Sequence, residues 1–224
     1  MTGQASRSTT GFLYPFLDAE ERDQDSLLAD LAASARAKSR ESAALRRTTL
    51  DSCADQVQTA AAEIARRLTA GGRIFTFGNG GSSTDAATLA GLFAHPPSPA
   101  RSLPAWSLTA DQAILTALGN DVGFDLVFAR QLIARARPED LAIAMSTSGN
   151  SRDLAAAFRE ARARGLYTVG FAGYDGGEFA GSPDVDQCFV VRSQSVHRIQ
   201  EAQALLGYHL WAAVHEHLAT LEEH

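Results

Sequence analysis

A glycine-rich turn with hydroxyl side chains lies inside residues 75–90, which read FTFGNGGSSTDAATLA. The apolar run before the turn is typical of a buried strand, and the spacing after it is typical of a helix. Between them, GNGGSS supplies backbone amides, small side chains and hydroxyls beside the positive end of a helix dipole. This combination of groups suits a phosphate dianion.

A second turn of similar chemistry follows the apolar run LAIAM. It reads STSGNS at residues 146–151 and precedes the helical pattern RDLAAAFREARARG. Apart from Arg152 at the edge of the second turn, no Lys or Arg is near, so amides and hydroxyls would hold the anion. Ser, Thr and Asn are also favoured in tight turns and at helix N-caps, and the alternative is that each turn is purely structural. Two such turns at strand ends favour a phosphate site.

Other nucleotide and covalent chemistries fit the sequence poorly. A nucleotide P-loop needs a lysine after its glycines, and the only lysine is Lys38, within a predicted N-terminal helix. The lack of a lysine near the two turns also argues against Schiff-base catalysis. Gly78, Gly80 and Ser83 form GxGxxS rather than the GxGxxG of dinucleotide-binding folds.

The composition limits the partners of the protein. A net charge of −6 argues against direct binding to nucleic acid, which needs a positive face. No apolar run reaches membrane-spanning length and the N-terminus has no apolar signal core, so the sequence predicts a cytoplasmic protein that binds no membrane. Cys53 and Cys188 lack metal-type spacing and are interpreted as small apolar residues.

Strands and helices alternate along the chain, which predicts an α/β fold with a parallel sheet covered on both faces. Residues 1–26 show no regular spacing of apolar residues and are predicted to form a loose arm. The predicted strands lie at residues 73–77, 105–108, 141–145, 168–171 and 188–191. The predicted helices lie at residues 27–47, 50–68, 85–93, 111–118, 125–134, 154–164 and 197–217. The apolar stripe of the first helix is patchy, which favours a subunit interface.

Five segments together resemble the sugar isomerase (SIS) domain family, and within it the phosphoheptose isomerase group. They are GNGGS, LTALGNDVGFDLVFARQL at residues 115–132, STSGNS, GYDGGEFA at residues 173–180 and RIQEAQ at residues 198–203. The resemblance runs in order from residue 27 to about residue 221. It implies a single SIS domain over residues 27–224, with a five-stranded parallel sheet and an N-terminal helical arm. It also implies a homotetramer, or at least a dimer, with sites at subunit interfaces.

The activity implied by the resemblance is aldose–ketose isomerisation of sedoheptulose 7-phosphate. The resemblance also assigns ligand contacts. Phosphate contacts fall on Ser146, Thr147, Ser148 and Ser151. Sugar contacts fall on Asn79, Gly80, Gly81, Ser82, Asn120, Asp121 and Gln200.

The catalytic groups implied by the resemblance are replaced in this chain. The family's metal-binding His, its Glu base and its acid His fall on Thr88, Leu92 and Tyr208. Isomerisation needs a carboxylate or imidazole within hydrogen-bond reach of the reacting carbons, and a leucine cannot supply one. The sequence therefore predicts no zinc, no other cofactor, and sugar-phosphate binding with slow turnover.

Two questions stay open at the level of sequence. The first is whether another residue acts as the base, and the rivals are His95, His197 and Glu201, each of which also fits a surface or capping role. Tyr208 is a further candidate, because its phenol can donate a hydrogen bond to a sugar oxygen. The second question is whether the protein is an isomerase, a non-catalytic phosphosugar sensor, or a protein-binding adaptor like the replication-initiator-associating SIS protein.

Overall fold

The computed structural model describes residues 24–222. The chain divides into two compact units, Met1–Glu41 and Ser42–His224. Of the first unit, the described residues 24–41 form the beginning of helix α1, and nearly all their described side chains are exposed. The predicted loose arm therefore falls almost entirely outside the described residues. The second unit contains the sheet.

Five parallel strands form one sheet in the order β2-β1-β3-β4-β5. They are β1 Ile74–Gly78, β2 Ala105–Ser107, β3 Leu141–Met145, β4 Tyr167–Gly173 and β5 Gln187–Val191. Strands β1 and β3 are buried throughout, as expected for central strands with both faces covered. The five predicted strands are confirmed, with small shifts at their ends.

Seven α-helices connect and cover the strands within residues 24–222. They are α1 Gln24–Thr69, α2 Gly81–Ala94, α3 Gln112–Asp121, α4 Val127–Arg135, α5 Arg152–Ala163, α6 Gly177–Gly181 and α7 Val196–Glu222. A 3₁₀ turn, Phe124–Leu126, precedes α4. The two predicted N-terminal helices are one continuous helix, and the short α6 was not predicted. None of these helices combines the length and apolar character that a membrane crossing needs.

The side chains of each strand alternate between two apolar layers. Ile74, Ile143 and Met145 pack with residues of α1, α2 and α7. Phe75 and Phe77 face the other layer, with residues of α4 and α5. Because successive residues of a strand point to opposite faces, one sheet supports both layers. The prediction of an α/β fold covered on both faces is confirmed.

The chain reverses direction across the sheet between β1 and β3. From β1 it crosses to the edge strand β2, and it then returns to β3 on the other side of β1. At such a switch point the connections leave the carboxyl edge in opposite directions and open a crevice where ligands bind. The last residues of the two strands, Gly78 and Met145, are paired in register. The turns that follow them therefore begin side by side.

Candidate functional site

The β3–α5 loop, residues 146–151, is held in shape partly by its own side chains. The buried Ser146 hydroxyl accepts hydrogen bonds from the amides of Ser148, at 3.3 Å, and Gly149, at 3.0 Å. The Ser148 hydroxyl accepts one from the Asn150 amide at 3.3 Å. Gly149 takes a φ of +69°, which favours glycine. These bonds form within six consecutive residues, and distant residues add to them, since the Glu178 amide donates to the Asn150 side chain at 2.8 Å and the Phe179 amide donates to the Gly149 carbonyl at 3.2 Å.

Two hydroxyls of this loop have no hydrogen bond to protein among the described residues. Ser151 is the N-cap residue of α5, yet its side chain makes no capping bond. The hydroxyl of half-buried Thr147 is also without a protein partner. The first amides of α5 lie beside them, and a helix start leaves such amides without intrahelical acceptors. Together these groups can bind an anion without a charged side chain.

The β1–α2 loop, taken as residues 78–83 so that it includes the first residues of α2, is held mainly by residues from other elements. The Asn79 amide donates to both carboxylate oxygens of Asp153 on α5, at 3.0 and 2.8 Å. A Cβ on Gly81 would stand 2.3 Å from Nε2 of Gln200, so a larger residue there would displace the end of that side chain. Gly80 has a φ of +54°, and its carbonyl accepts from the Ser83 hydroxyl at 2.6 Å. Ser82 is buried in the first turn of α2.

Helix α7 touches both loops through two amide side chains one turn apart. Gln200 donates from Nε2 to the Asp85 carboxylate of α2 at 3.3 Å. Gln203 is fully buried and donates from Nε2 to the Ser146 carbonyl at 2.7 Å. Residues three apart share a helix face, so one face of α7 bonds to α2 beside the glycine turn and to the β3–α5 loop. The loops and α7 form one connected site.

Two carboxylates lie within this site, and burial raises the pKa of each. Burial raises the pKa of Asp85 above its ordinary value, and the hydrogen bond from Gln200 opposes the shift. Burial also raises the pKa of Asp153, against hydrogen bonds from Asn79 and from the amides of residues 153 and 154. Both carboxylates were missed as site residues in the sequence. The available signal was an acidic residue near the start of each helix that follows a Gly- or Ser-rich turn, where the helix dipole favours it.

Two residues with predicted sugar contacts lie apart from this network. Asn120 and Asp121 are exposed at the end of α3, and their side chains hydrogen-bond to each other at 2.7 Å. No hydrogen bond connects either of them to the two loops in the part of the chain that the structure describes. Their predicted contact with a sugar stays a prediction.

The residues at the implied catalytic positions offer little to a metal ion. Thr88 is exposed and donates to the Thr84 carbonyl at 2.9 Å. Leu92 is half-buried against the apolar layer beneath α2. Tyr208 is 50% exposed and lies 5.4 Å from Trp211, centroid to centroid. Within residues 24–222, no three His, Cys, Asp or Glu side chains are grouped so that they could hold a metal ion. The described residues do not fit the zinc that the resemblance implies.

Comparison with known proteins supports one family. The SIS domain sequence pattern matches residues 39–173. A phosphoheptose isomerase from Solidesulfovibrio magneticus is 43% identical over 184 residues, which cover 80% of this chain and 86% of the relative. One from Aquifex aeolicus is 40% identical over 181 residues, covering 79% and 92%. The structure of the phosphoheptose isomerase from Neisseria gonorrhoeae superposes with a TM-score of 0.74 at 32% identity, covering 82% of this chain and 98% of that one.

Proposed function

The chain belongs to the SIS domain family, with relatives among the phosphoheptose isomerases, and from that premise we propose that it binds a sugar phosphate between the β1–α2 and β3–α5 loops. The observation that carries the proposal is the pair of unpartnered hydroxyls, Thr147 and Ser151, at the start of α5. They lie beside helix amides that lack acceptors, which suits a phosphate group. The glycine turn and Gln200 then contact the sugar.

The proposal includes weak catalysis. At the positions where the resemblance implies a metal-binding His, a Glu base and an acid His, this chain has Thr88, Leu92 and Tyr208. The half-buried Leu92 supports this interpretation, because its side chain packs on apolar residues and carries no proton-accepting group. Each positioned acid or base contributes about 10²–10⁴-fold to a rate. Sedoheptulose 7-phosphate should therefore bind and turn over far more slowly than in an isomerase with those groups.

Binding of the phosphate is tested by calorimetry with sedoheptulose 7-phosphate and with inorganic phosphate. Ser151→Ala should weaken both about tenfold or more, because a hydrogen bond to a charged group contributes about 1.5–3 kcal/mol. Ser52→Ala is the matched control, since Ser52 is an exposed serine on α1 whose hydroxyl bonds only within its own helix turn. Equal affinities of the unmodified and Ser151→Ala proteins would contradict the proposed phosphate site.

The missing catalytic groups are tested by restoring them together as Thr88→His, Leu92→Glu and Tyr208→His. The first and third positions are exposed and should accept the change, whereas Glu at the half-buried second position should lower stability. The expected outcome is zinc uptake and faster isomerisation. A folded triple variant that binds the sugar phosphate but gains neither would count against the assigned positions.

We also propose a homotetramer, or at least a dimer. Three leucines near the start of α1 are exposed, by 42% at Leu27, 63% at Leu28 and 58% at Leu31. Exposed leucines grouped on one helix favour burial against another chain. Light scattering should report an oligomer that Leu28→Glu with Leu31→Glu dissociates. The exposed pair Ala33→Glu and Ala37→Glu on the same helix is the control, and a monomer at every concentration would contradict the proposal.

A further inference from the structure

We propose that Asp85 is the acid–base residue of this site, and that it moves the proton between the first two carbons of the bound ketose phosphate. The inference rests on the proposed function, since it concerns the same pocket. Asp85 lies on α2, one helical turn beyond the glycine turn. Its carboxylate is the acceptor for Gln200, the α7 residue that packs over Gly81. A sugar held by the glycine turn and Gln200 is therefore within reach of this carboxylate.

The carboxylate of Asp85 is free enough to accept a proton. One of its oxygens, Oδ2, accepts a long hydrogen bond of 3.3 Å from Gln200, and Oδ1 has no hydrogen bond from protein among the described residues. The residue is half-buried, so partial desolvation is combined with partial exposure. Burial raises the pKa of Asp85, which brings this weak base closer to the strength that proton abstraction needs.

Asp153, the other carboxylate of the site, is occupied by structural bonds. It is 4% exposed, and both of its oxygens accept hydrogen bonds from the Asn79 side chain. A proton on either oxygen would remove one of the two acceptors that link α5 to the β1–α2 loop. Asp153 therefore connects two elements, while Asp85 keeps one oxygen open.

The other candidate bases in this chain are less well placed. His95 is the C-cap residue of α2, ten residues beyond Asp85, and this separation corresponds to about 15 Å along the helix. Glu201 follows Gln200 on α7, but its carboxylate accepts a hydrogen bond from the Ser42 hydroxyl. His197 is exposed in the first turn of α7, without a hydrogen bond to either loop in the described part of the chain. Asp85 alone among these four is bonded to a residue of the site.

The proposed step is a proton transfer through an enediol. The carboxylate takes a proton from C1 of the open-chain ketose, and the electron pair of that C–H bond forms the C1–C2 double bond. The C2 carbonyl oxygen meanwhile takes a proton from water. The protonated Asp85 then returns its proton to C2, and the C1 hydroxyl loses its proton to water as the aldehyde forms. No oxidant or metal is consumed, and the carboxylate is regenerated.

The experiment follows sedoheptulose 7-phosphate in D₂O by NMR, with binding measured separately by calorimetry. Asp85→Asn keeps the shape of the side chain and an acceptor for Gln200, so it should bind the sugar within about threefold of the unmodified protein. Its deuterium exchange at C1 should fall by about 10²-fold or more, the usual effect of removing a positioned base. Glu201→Gln is the matched control on α7 and should exchange at the unmodified rate.

The possible outcomes separate this inference from the binding proposal. If the unmodified protein binds the sugar but exchanges no deuterium, Asp85 is not the base and the binding proposal stands. The same conclusion follows if Asp85→Asn exchanges deuterium as fast as the unmodified protein does. Loss of exchange in His197→Asn instead of Asp85→Asn would transfer the role to that histidine. If Asp85→Asn also loses binding, Asp85→Glu decides, because exchange must return with the carboxylate. No binding by the unmodified protein would overturn both proposals.

Discussion

The two loops of the site reach similar positions by different means. The β3–α5 loop is shaped by its own hydroxyls, since Ser146 and Ser148 bond to amides two and three residues further on. The β1–α2 loop depends on partners that are distant in sequence, because Asn79 bonds to Asp153 and Gly81 lies against Gln200. The β3–α5 loop therefore combines local side-chain bonds with bonds from α6 and α7, whereas the contacts of Asn79 and Gly81 come from α5 and α7.

This difference suggests a division of roles in ligand binding. A loop with local hydrogen bonds offers the phosphate a preformed set of donors at little entropic cost. A loop that rests on bonds to distant residues responds to changes at those residues, so the loss of the Asn79–Asp153 link should reach the sugar end of the site first. The next four predictions test the difference, from the largest expected effect to the smallest.

Gly149→Ala should cause the largest loss of stability, about 3 kcal/mol in the free energy of unfolding. A Cβ there would stand 2.2 Å from the Gly176 carbonyl oxygen, and φ is +69°. Gly80→Ala is the matched control, because its φ is +54° but no atom lies within 4 Å of the added Cβ. It should cost about 1 kcal/mol. Urea denaturation measures both, and equal losses would show that crowding in the β3–α5 loop is unimportant.

Asn79→Ala should lower the free energy of unfolding by about 2 kcal/mol, because it leaves the buried Asp153 carboxylate without its side-chain donor. Hydrogen exchange should then speed up at the amides of Gly80 and Gly81 and stay unchanged at Gly149. Asn120→Ala, at an exposed position, should change stability by less than about 0.5 kcal/mol. Faster exchange in both loops would mean that the two are not separately organised.

Ser146→Ala and Ser151→Ala should distinguish the residue that holds the shape of the β3–α5 loop from the residue that donates a hydrogen bond to the ligand. Ser146→Ala removes the acceptor for two amides and should cost about 1 kcal/mol of stability as well as affinity for phosphate. Ser151→Ala should reduce the affinity alone, because its hydroxyl makes no capping bond. Thermal melts with and without inorganic phosphate distinguish the two variants. A lower melting point for ligand-free Ser151→Ala would contradict the assignment.

Asp153→Asn should have the smallest effect at neutral pH, within about 1 kcal/mol, because losing a desolvated charge offsets losing one acceptor. Burial raises the pKa of Asp153 above its ordinary 3.8. A raised pKa contributes stability that is complete below 3.8 and is lost as the pH rises through the folded-state value. The unmodified protein should therefore lose more stability than Asp153→Asn as the pH rises from about 4 through this window. Parallel curves from urea titrations would show that this carboxyl does not titrate as argued.

The sequence was a good guide to the fold because its strands are short and largely apolar. LAIAM predicts β3 at residues 141–145, where the structure has it. The main errors concern continuity and small elements. A patchy apolar stripe suggested two N-terminal helices, but α1 is continuous because its residues are mostly strong helix formers and include no Gly or Pro, whether or not they are buried. The five residues of α6 are too few to show a helical period.

The site could be predicted only in part. Turn chemistry is local, so GNGGSS and STSGNS were visible as anion-binding candidates before any fold was known. The roles of Asp153 and Gln203 were not visible, because each depends on a partner far along the chain. Asp153 bonds to a residue 74 positions away, and Gln203 to one 57 positions away. The spacing of apolar residues within one segment carries no information about pairs of residues this far apart in the chain.

By itself, the sequence determined the alternation of strands and helices, the two turns and the family. These depend on the spacing of apolar residues and on which residues can form a turn, and both are properties of neighbours in the chain. Only the tertiary structure decided that Gly78 and Met145 end side by side, and that one face of α7 bonds to Asp85 of α2 and to the β3–α5 loop. It also left one oxygen of Asp85 open while occupying both oxygens of Asp153. The physical reason is that the reactivity of a carboxylate depends on its burial and its partners, which come from elements that meet only in the folded chain.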